Sequence, residues 1–220
     1  TIASLCRKSV LILLTQDQKS VTISKNRVNE MLGKEIFEYG VKETANQVGV
    51  VTGLAYTSFG GDILPIEVTL FEGKGKLILT GQLGDVMKES AEIAIGYIKS
   101  NAKAFNIEPK FFESHDIHVH VPEGAVPKDG PSAGITLTTA LVSALTDRQG
   151  LSNVAMTGEV TLRGNVLPIG GLKEKSLAAH RVGINTIVIP KKNVKDMDEL
   201  PETVKKDITF IPVENVTQVL

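Results

Sequence analysis

PEGAVPKDGPSAGITLTTALVSALT, residues 122–146, changes character at Pro131. Before that point lies a loop of Pro, Gly and charged residues; from Ser132 onward the pattern is that of a long, mostly apolar helix. Wound at about 100° per residue, Ser132, Thr136, Thr139, Ser143 and Thr146 fall on one narrow hydroxyl stripe, while Ile135, Leu137, Leu141, Val142 and Leu145 cover most of the remainder. Such a helix is buried nearly all round, so the segments on either side must supply the layers that bury it. Ser132, at its first turn, has two readings. It can be an N-cap, for which Ser is a preferred residue. It can also be a nucleophile, because the small residues Ala133 and Gly134 and the unpaired N–H groups of a helix start would stabilise negative charge on an acyl oxygen.

Outward from this helix, the preceding residues read as strands and one helix. Val50–Thr57 has strand character and is followed by a Gly60-Gly61-Asp62 turn; Ile63–Phe71 and Lys76–Thr80 flank Glu72-Gly73-Lys74-Gly75 as a hairpin. That GKG sequence is not a phosphate loop, since the Walker A spacing occurs nowhere in the chain and no helix follows it. Asp85 is placed to cap a helix running to about Phe105, and Asp116–Val121 alternates as a strand with Ile117, Val119 and Val121 on one face and His118 and His120 on the other. With His115 and Glu123 close by, the two histidines are candidate metal ligands or simply polar residues on the open side of a sheet.

On the other side, Val154–Leu162 and Val166–Ile169 flank Arg163-Gly164-Asn165 as a second hairpin. A helix is expected over Leu172–Val182 with Gly183 as its C-cap, then a strand at Thr186–Ile189, a short helix at Asp196–Leu200, a strand at Ile208–Ile211 and a helix start at Val216–Leu220. Hairpins mixed with strand–helix–strand units make this an α/β domain with a mixed sheet. Further upstream, Thr1 to about Leu14 reads as the end of a helix, Val21–Ile23 as a short strand, Asn26–Leu32 as a short helix and Gly33–Glu43 as a linking segment, with the compact domain starting near Gly49.

Composition narrows the function classes. The chain has 220 residues, 42% of them hydrophobic, and no charge-free apolar run long enough to span a membrane. Leu11–Leu14 lacks the pattern of a signal peptide, and the single Cys6 excludes an intrachain disulfide or a thiolate metal cage, so a cytoplasmic location is expected. A net charge of −1 and 5% aromatic residues do not indicate a nucleic-acid partner.

A serine nucleophile needs a base, because an ordinary hydroxyl is weak at neutral pH. A triad of Ser132 with His118 or His120 and Asp129 is one arrangement. The helix over Leu172–Val182 favours a lysine instead: Leu172, Ala178, Ala179 and Val182 form its apolar face and Lys175 falls near the middle of it, whereas Lys173, Glu174 and Arg181 lie on the flank or opposite side. Burial favours the neutral amine that a general base requires. Alternatively Lys175 snorkels to solvent past the alanines or pairs with a carboxylate. Thr157, Thr136 and Thr139 each offer a hydroxyl to orient the amine.

HVHVPEGAVPKDGPSAG, AMTGEVTLRG and LPIGGLKEKSLAAHRVGI, in this order, closely resemble the proteolytic domain of the ATP-dependent Lon proteases, from about Gly33 to Leu220. The resemblance implies a fold like the second domain of ribosomal protein S5, with a serine-lysine protease domain over 33–220. Residues 1–32 then correspond to the tail of the small helical part of a preceding ATPase module and its linker. It implies Ser132 as nucleophile, Lys175 as base, Thr157 in contact with the lysine amine, and Asp129 in a loop that switches between blocking and opening the site. The turn Thr146-Asp147-Arg148-Gln149-Gly150 departs from the family's usual Thr-Gly. No cofactor is expected in this chain; ATP and Mg are implied for the full-length protein. By the same resemblance that protein is a homohexamer acting on unfolded, damaged or regulatory proteins. The rival expectation is a non-catalytic structural or adaptor domain of the same fold.

Overall fold

The computed structural model describes residues 2–16, 18–33, 44–57, 60–122 and 127–220, which fall into two units, Thr1–Tyr39 and Gly40–Leu220. In the first, α1 (Ile2–Thr15) and α2 (Lys25–Leu32) are joined by a hydrogen bond from Lys8 Nζ to the Met31 carbonyl. Residues Val21–Ile23 form no strand: they run unpaired into Ser24, whose hydroxyl accepts the Arg27 N–H at 3.4 Å and starts α2. A β-prone triplet has no strand to join among the described residues here, and the cap decides its conformation. Residues 34–43, which carry most of the expected linking segment, lie outside the described residues.

The second unit runs β1 (Gln47–Val48), β2 (Val50–Thr57), β3 (Gly60–Glu72), β4 (Leu77–Thr80), α3 (Asp85–Ser100), α4 (Phe111–Ser114) and β5 (His115–His120). It continues through a 3-10 turn at Pro131–Ala133 into α5 (Gly134–Thr146), then β6 (Gln149–Gly150), β7 (Val154–Met156), β8 (Glu159–Val160) and β9 (Val166–Leu167). The chain ends with α6 (Leu172–Arg181), β10 (Thr186–Pro190), a 3-10 segment at Lys191–Glu199, α7 (Glu202–Asp207) and β11 (Thr209–Val213). Seven strands form one sheet in the order β11-β10-β7-β2-β3-β5-β4. The β2/β3 and β3/β5 pairs are antiparallel and the other four are parallel, so the sheet is mixed as the strand and helix order implied. Among the described residues no helix is long and apolar enough to cross a membrane.

Period-2 alternation places a hydrophobic cluster on each face. Val51, Ile66, Val68, Met156 and Val188 point to the face covered by α3 and α5, while Leu54, Ile63, Ala155, Ile187 and Ile189 point to the face covered by α6 and α7. Helix α5 is buried from Gly134 to Ser143 except at half-buried Thr139, as its nearly continuous apolar surface requires. Its stripe of hydroxyls is satisfied internally: Thr139 and Thr146 bond carbonyls one turn back, and Ser143 Oγ accepts the Gly49 N–H at 2.8 Å.

Several expectations fail for reasons of long-range pairing. Gly60-Gly61-Asp62 is strand, not turn, paired with Thr57, Tyr56 and Ala55. Ile63–Phe71 and Lys76–Thr80 are both strands but not a hairpin, because β5 lies between β3 and β4. The connection is instead a loop pinned on β5, where Asp116 Oδ1 accepts the Lys74 and Lys76 N–H groups at 2.7 and 2.9 Å. Those backbone bonds, the one from Lys76 foremost, hold the Asp116 carboxyl below its ordinary value. The helix begun at Asp85 ends at Ser100, where Asn101 Nδ2 turns back to the Tyr97 carbonyl at 2.8 Å, and only a 3-10 turn follows at Ala102–Phe105. The second hairpin survives in short form, β8 paired with β9, with Thr157-Gly158 interrupting the strand expected from Val154 to Leu162.

Candidate active site

Two concavities flank α5. The larger, about 570 Å³, lies at its C-terminal end, where Tyr97 and Arg148 stand among mostly apolar side chains and amides. The other, about 440 Å³, gathers Ser132, Asp129 and Lys175 with the ends of β2 and β3 and the segment Pro168–Gly171. Convergence of polar and titratable groups, rather than volume, makes the second the candidate site.

Lys175 sits one turn into α6, and the apolar face predicted for that helix is the buried one: Leu172, Lys175, Ser176, Ala178 and Ala179. Lys175 is 2% exposed, whereas Lys173 is exposed. The amine has no anionic partner among the described residues. It donates to Thr157 Oγ1 at 3.0 Å, so Thr157 is the one of the three candidate threonines that meets it. Thr136 instead bonds the Met156 carbonyl at 3.3 Å and Thr139 the Ile135 carbonyl at 2.8 Å. Desolvation lowers the Lys175 pKa from 10.5 to about 8, because a buried ammonium without a counter-charge loses its hydration.

Close approach of α6 to the sheet keeps this amine dry. A Cβ at Gly61 would lie 2.0 Å from the Glu174 carbonyl oxygen and 2.9 Å from the Lys175 main-chain nitrogen. Gly61→Ala is therefore expected to push α6 off β3 and to lower stability by about 1–3 kcal/mol, measured by urea denaturation.

Ser132 is not the N-cap of a long helix. It occupies a 3-10 turn that leads into α5, without a side-chain cap hydrogen bond at the start of either segment. The turn is fixed from the β7–β8 junction: Gly158 N–H donates to the Ser132 carbonyl at 2.8 Å, and Thr157 Oγ1 donates to the same carbonyl at 3.4 Å. One threonine hydroxyl thus bridges the main chain of Ser132 and the amine of Lys175. Ser132 Oγ and Lys175 Nζ share the cleft without a direct hydrogen bond between them in this structure.

Asp129 does not reach the lysine. Its Oδ1 accepts the Met87 N–H at 3.0 Å and the Gly130 N–H at 2.9 Å, so it caps α3 from another part of the chain. Asp85, expected to be that cap, is the first helical residue, and Gly84 stands at the cap position. A Cβ at Gly84 would lie 2.3 Å from Asp129 Cγ, so this side chain needs glycine there. Lys128 pairs in parallel with Leu83, laying the loop along the approach to α3.

The histidines are elsewhere. His118 Nε2 and His120 Nδ1 lie 2.9 and 2.7 Å from one hydroxyl, Thr80 Oγ1, which donates to one ring and accepts from the other when both are neutral. His115 stacks on Phe111, and Glu123 lies outside the described residues. No histidine lines the cleft of Ser132 among the described residues, so the Ser-His-Asp arrangement is not assembled. Among the described residues no group of three or more His, Cys, Asp or Glu is placed to hold a metal. Sequence reasoning missed Asn193, a buried residue whose amide brackets Ile169 beside the cleft.

Comparison with known proteins adds to this geometry. Residues 22–220 match the family described as Lon protease (S16) C-terminal proteolytic domain. The chain is 58% identical over 219 residues to Lon protease 1 of Bacillus subtilis (strain 168), covering 100% of the chain and 28% of that protein. It is 57% identical over 225 residues to Lon protease of Chloroflexus aggregans, covering 100% of the chain and 27% of the relative. It is 56% identical over 220 residues to Lon protease of Vibrio parahaemolyticus, covering 100% of the chain and 28% of the relative. The chain therefore spans little more than a quarter of the length of these relatives.

Proposed function

The chain belongs to the Lon protease C-terminal proteolytic domain family, and from that premise we propose that it is a serine endopeptidase domain in which Ser132 is the nucleophile and Lys175 its general base. The observation that carries the reading is a 2%-exposed amine with no counter-charge among the described residues, held by Thr157 in the cleft that Ser132 lines. Burial makes the neutral amine accessible near pH 8, where it accepts the Ser132 proton as Oγ attacks a scissile carbonyl. The Ser132 N–H, in the first turn before α5, has no preceding turn to accept it and is the donor that would hold the oxyanion. The ammonium formed on Lys175 then protonates the leaving amine, and water repeats the attack on the ester with Lys175 again as base. Thr157 keeps the amine aimed.

Asp129, with its carboxylate on α3, leaves the lysine free, and this arrangement supports an open site. For the whole protein, the family supports ATP-dependent degradation of unfolded, damaged or regulatory proteins by a homohexamer, in the cytoplasm, with residues 1–32 as the tail of the ATPase module. The Gly-Lys-Gly segment offers ATP no phosphate loop. Gly73-Lys74-Gly75 is a strand connection pinned on Asp116, and it leads into β4 rather than a helix.

A fluorophosphonate probe tests the reading. Labelling is expected at Ser132 of the protein and absent from Ser132→Ala. A site that stays unlabelled while a peptide substrate is turned over overturns the Ser132 assignment, and neither labelling nor turnover leaves the adaptor reading.

A further inference from the structure

Asn193 lies in a run, KKNVKD, that reads as surface, yet it is 1% exposed. Its Oδ1 accepts the Ile169 N–H at 3.0 Å, and its Nδ2 donates to the Ile169 carbonyl at 2.8 Å and to Asp196 Oδ2 at 2.6 Å. One amide thus satisfies both main-chain groups of a single residue, as a neighbouring strand would. A carboxylate can only accept, so Asp196 fixes which end of the amide carries the hydrogens.

Ile169 matters because it leads directly into the cleft wall. Pro168–Gly171 lines the cleft, and α6 starts from Gly171 without a side-chain cap. Gly170 and Gly171 impose little conformational restraint of their own, and a Cβ at Gly170 would touch nothing within 4 Å. The Gly171 carbonyl accepts the Lys175 N–H at 3.0 Å. A continuous bonded path therefore runs from Asp196 through Asn193 and Ile169 to the first turn of α6.

We propose that Asn193 is a positioning residue for the peptidase reaction: by clamping Ile169 it sets the Pro168–Gly171 wall of the cleft and the first turn of α6, and so keeps the Lys175 amine dry against Thr157. The proposal rests on Ser132 and Lys175 being the reacting pair. Asn193 itself does not line the cleft and touches no reacting atom.

The test compares the pH–rate profiles of the wild-type protein, Asn193→Ala, Asp196→Ala and Val204→Ala on one peptide substrate, with Ser132→Ala as blank. Val204 is 1% exposed in the cluster beneath α6 and α7, and its truncation controls for lost stability alone. Asn193→Ala is expected to lower kcat about tenfold or more, as misplacement of a reacting group by a fraction of an ångström does. Its midpoint should also move to higher pH as water reaches Lys175. Asp196→Ala, which leaves the clamp in place but frees its orientation, should shift the midpoint the same way by less, and it decides the question if Asn193→Ala does not fold. Val204→Ala should melt earlier with the midpoint unmoved. An unshifted midpoint in the folded Asn193 or Asp196 variant, or an equal shift in Val204→Ala, overturns the clamp. Turnover by Ser132→Ala overturns the underlying dyad instead.

Discussion

Replacing Ser132 by alanine is expected to lower peptide turnover about ten-thousandfold or more, since loss of a nucleophile leaves only binding and oxyanion stabilisation to accelerate hydrolysis. The fold should not notice. The Ser132 turn is tied to β7 and β8 by its carbonyl, which accepts from Gly158 N–H and Thr157 Oγ1, and alanine keeps that carbonyl. The side chain is half-buried and caps neither the turn nor α5, so stability should stay within about 0.5 kcal/mol of wild type. Steady-state hydrolysis and thermal melting of the same sample check both parts. A large loss of stability alongside the loss of activity would make Ser132 a structural residue.

Lys175→Met should also abolish turnover, by about a thousandfold, while raising stability at neutral pH. In the folded protein the amine titrates at about 8, against 10.5 for a solvated lysine in the unfolded chain. Between these values the unfolded chain binds more protons than the native one, so wild-type stability climbs with pH across that window. Below about pH 8 the native state carries the full cost of a buried ammonium, on the order of 3 kcal/mol for a shift of this size. Methionine of similar length removes that cost. Thr157 keeps the Ser132 carbonyl as the acceptor for its hydroxyl, so no buried donor is stranded. Urea denaturation should therefore find Lys175→Met more stable than wild type at pH 7, with the advantage fading as pH rises from about 8 to 10.5. Lys173→Ala, at an exposed position, should change neither property much, and equal losses at the two lysines would remove the case for Lys175.

Lys175 was legible because α6 declares its own buried face: Leu172, Ala178 and Ala179 fix the stripe, and the lysine lies within it. Ser132 was legible as the start of the buried helix but not as part of a 3-10 turn, since the distinction depends on Gly158 and Thr157, which approach from 25 or more residues away. The β3–β4 region misled for a related reason. Glu72-Gly73-Lys74-Gly75 has the composition of a tight turn, and nothing local to it announces that β5 will insert between the two strands. Asp129 was legible as a loop acid; its role as the cap of α3 depends on the bare Gly84 facing it. Asn193 left almost no signal, because a buried amide that substitutes for a strand looks in sequence like any polar residue among lysines.

The most direct test of the dyad is the rate at which the fluorophosphonate labels Ser132 as a function of pH. The rate should rise through a single ionisation near the Lys175 value of about 8, be unchanged by His118→Ala or His120→Ala, and lose its pH dependence in Lys175→Met. A rate governed by an ionisation in the ordinary imidazole range and abolished by a histidine substitution, or one that Lys175→Met leaves intact, would contradict it.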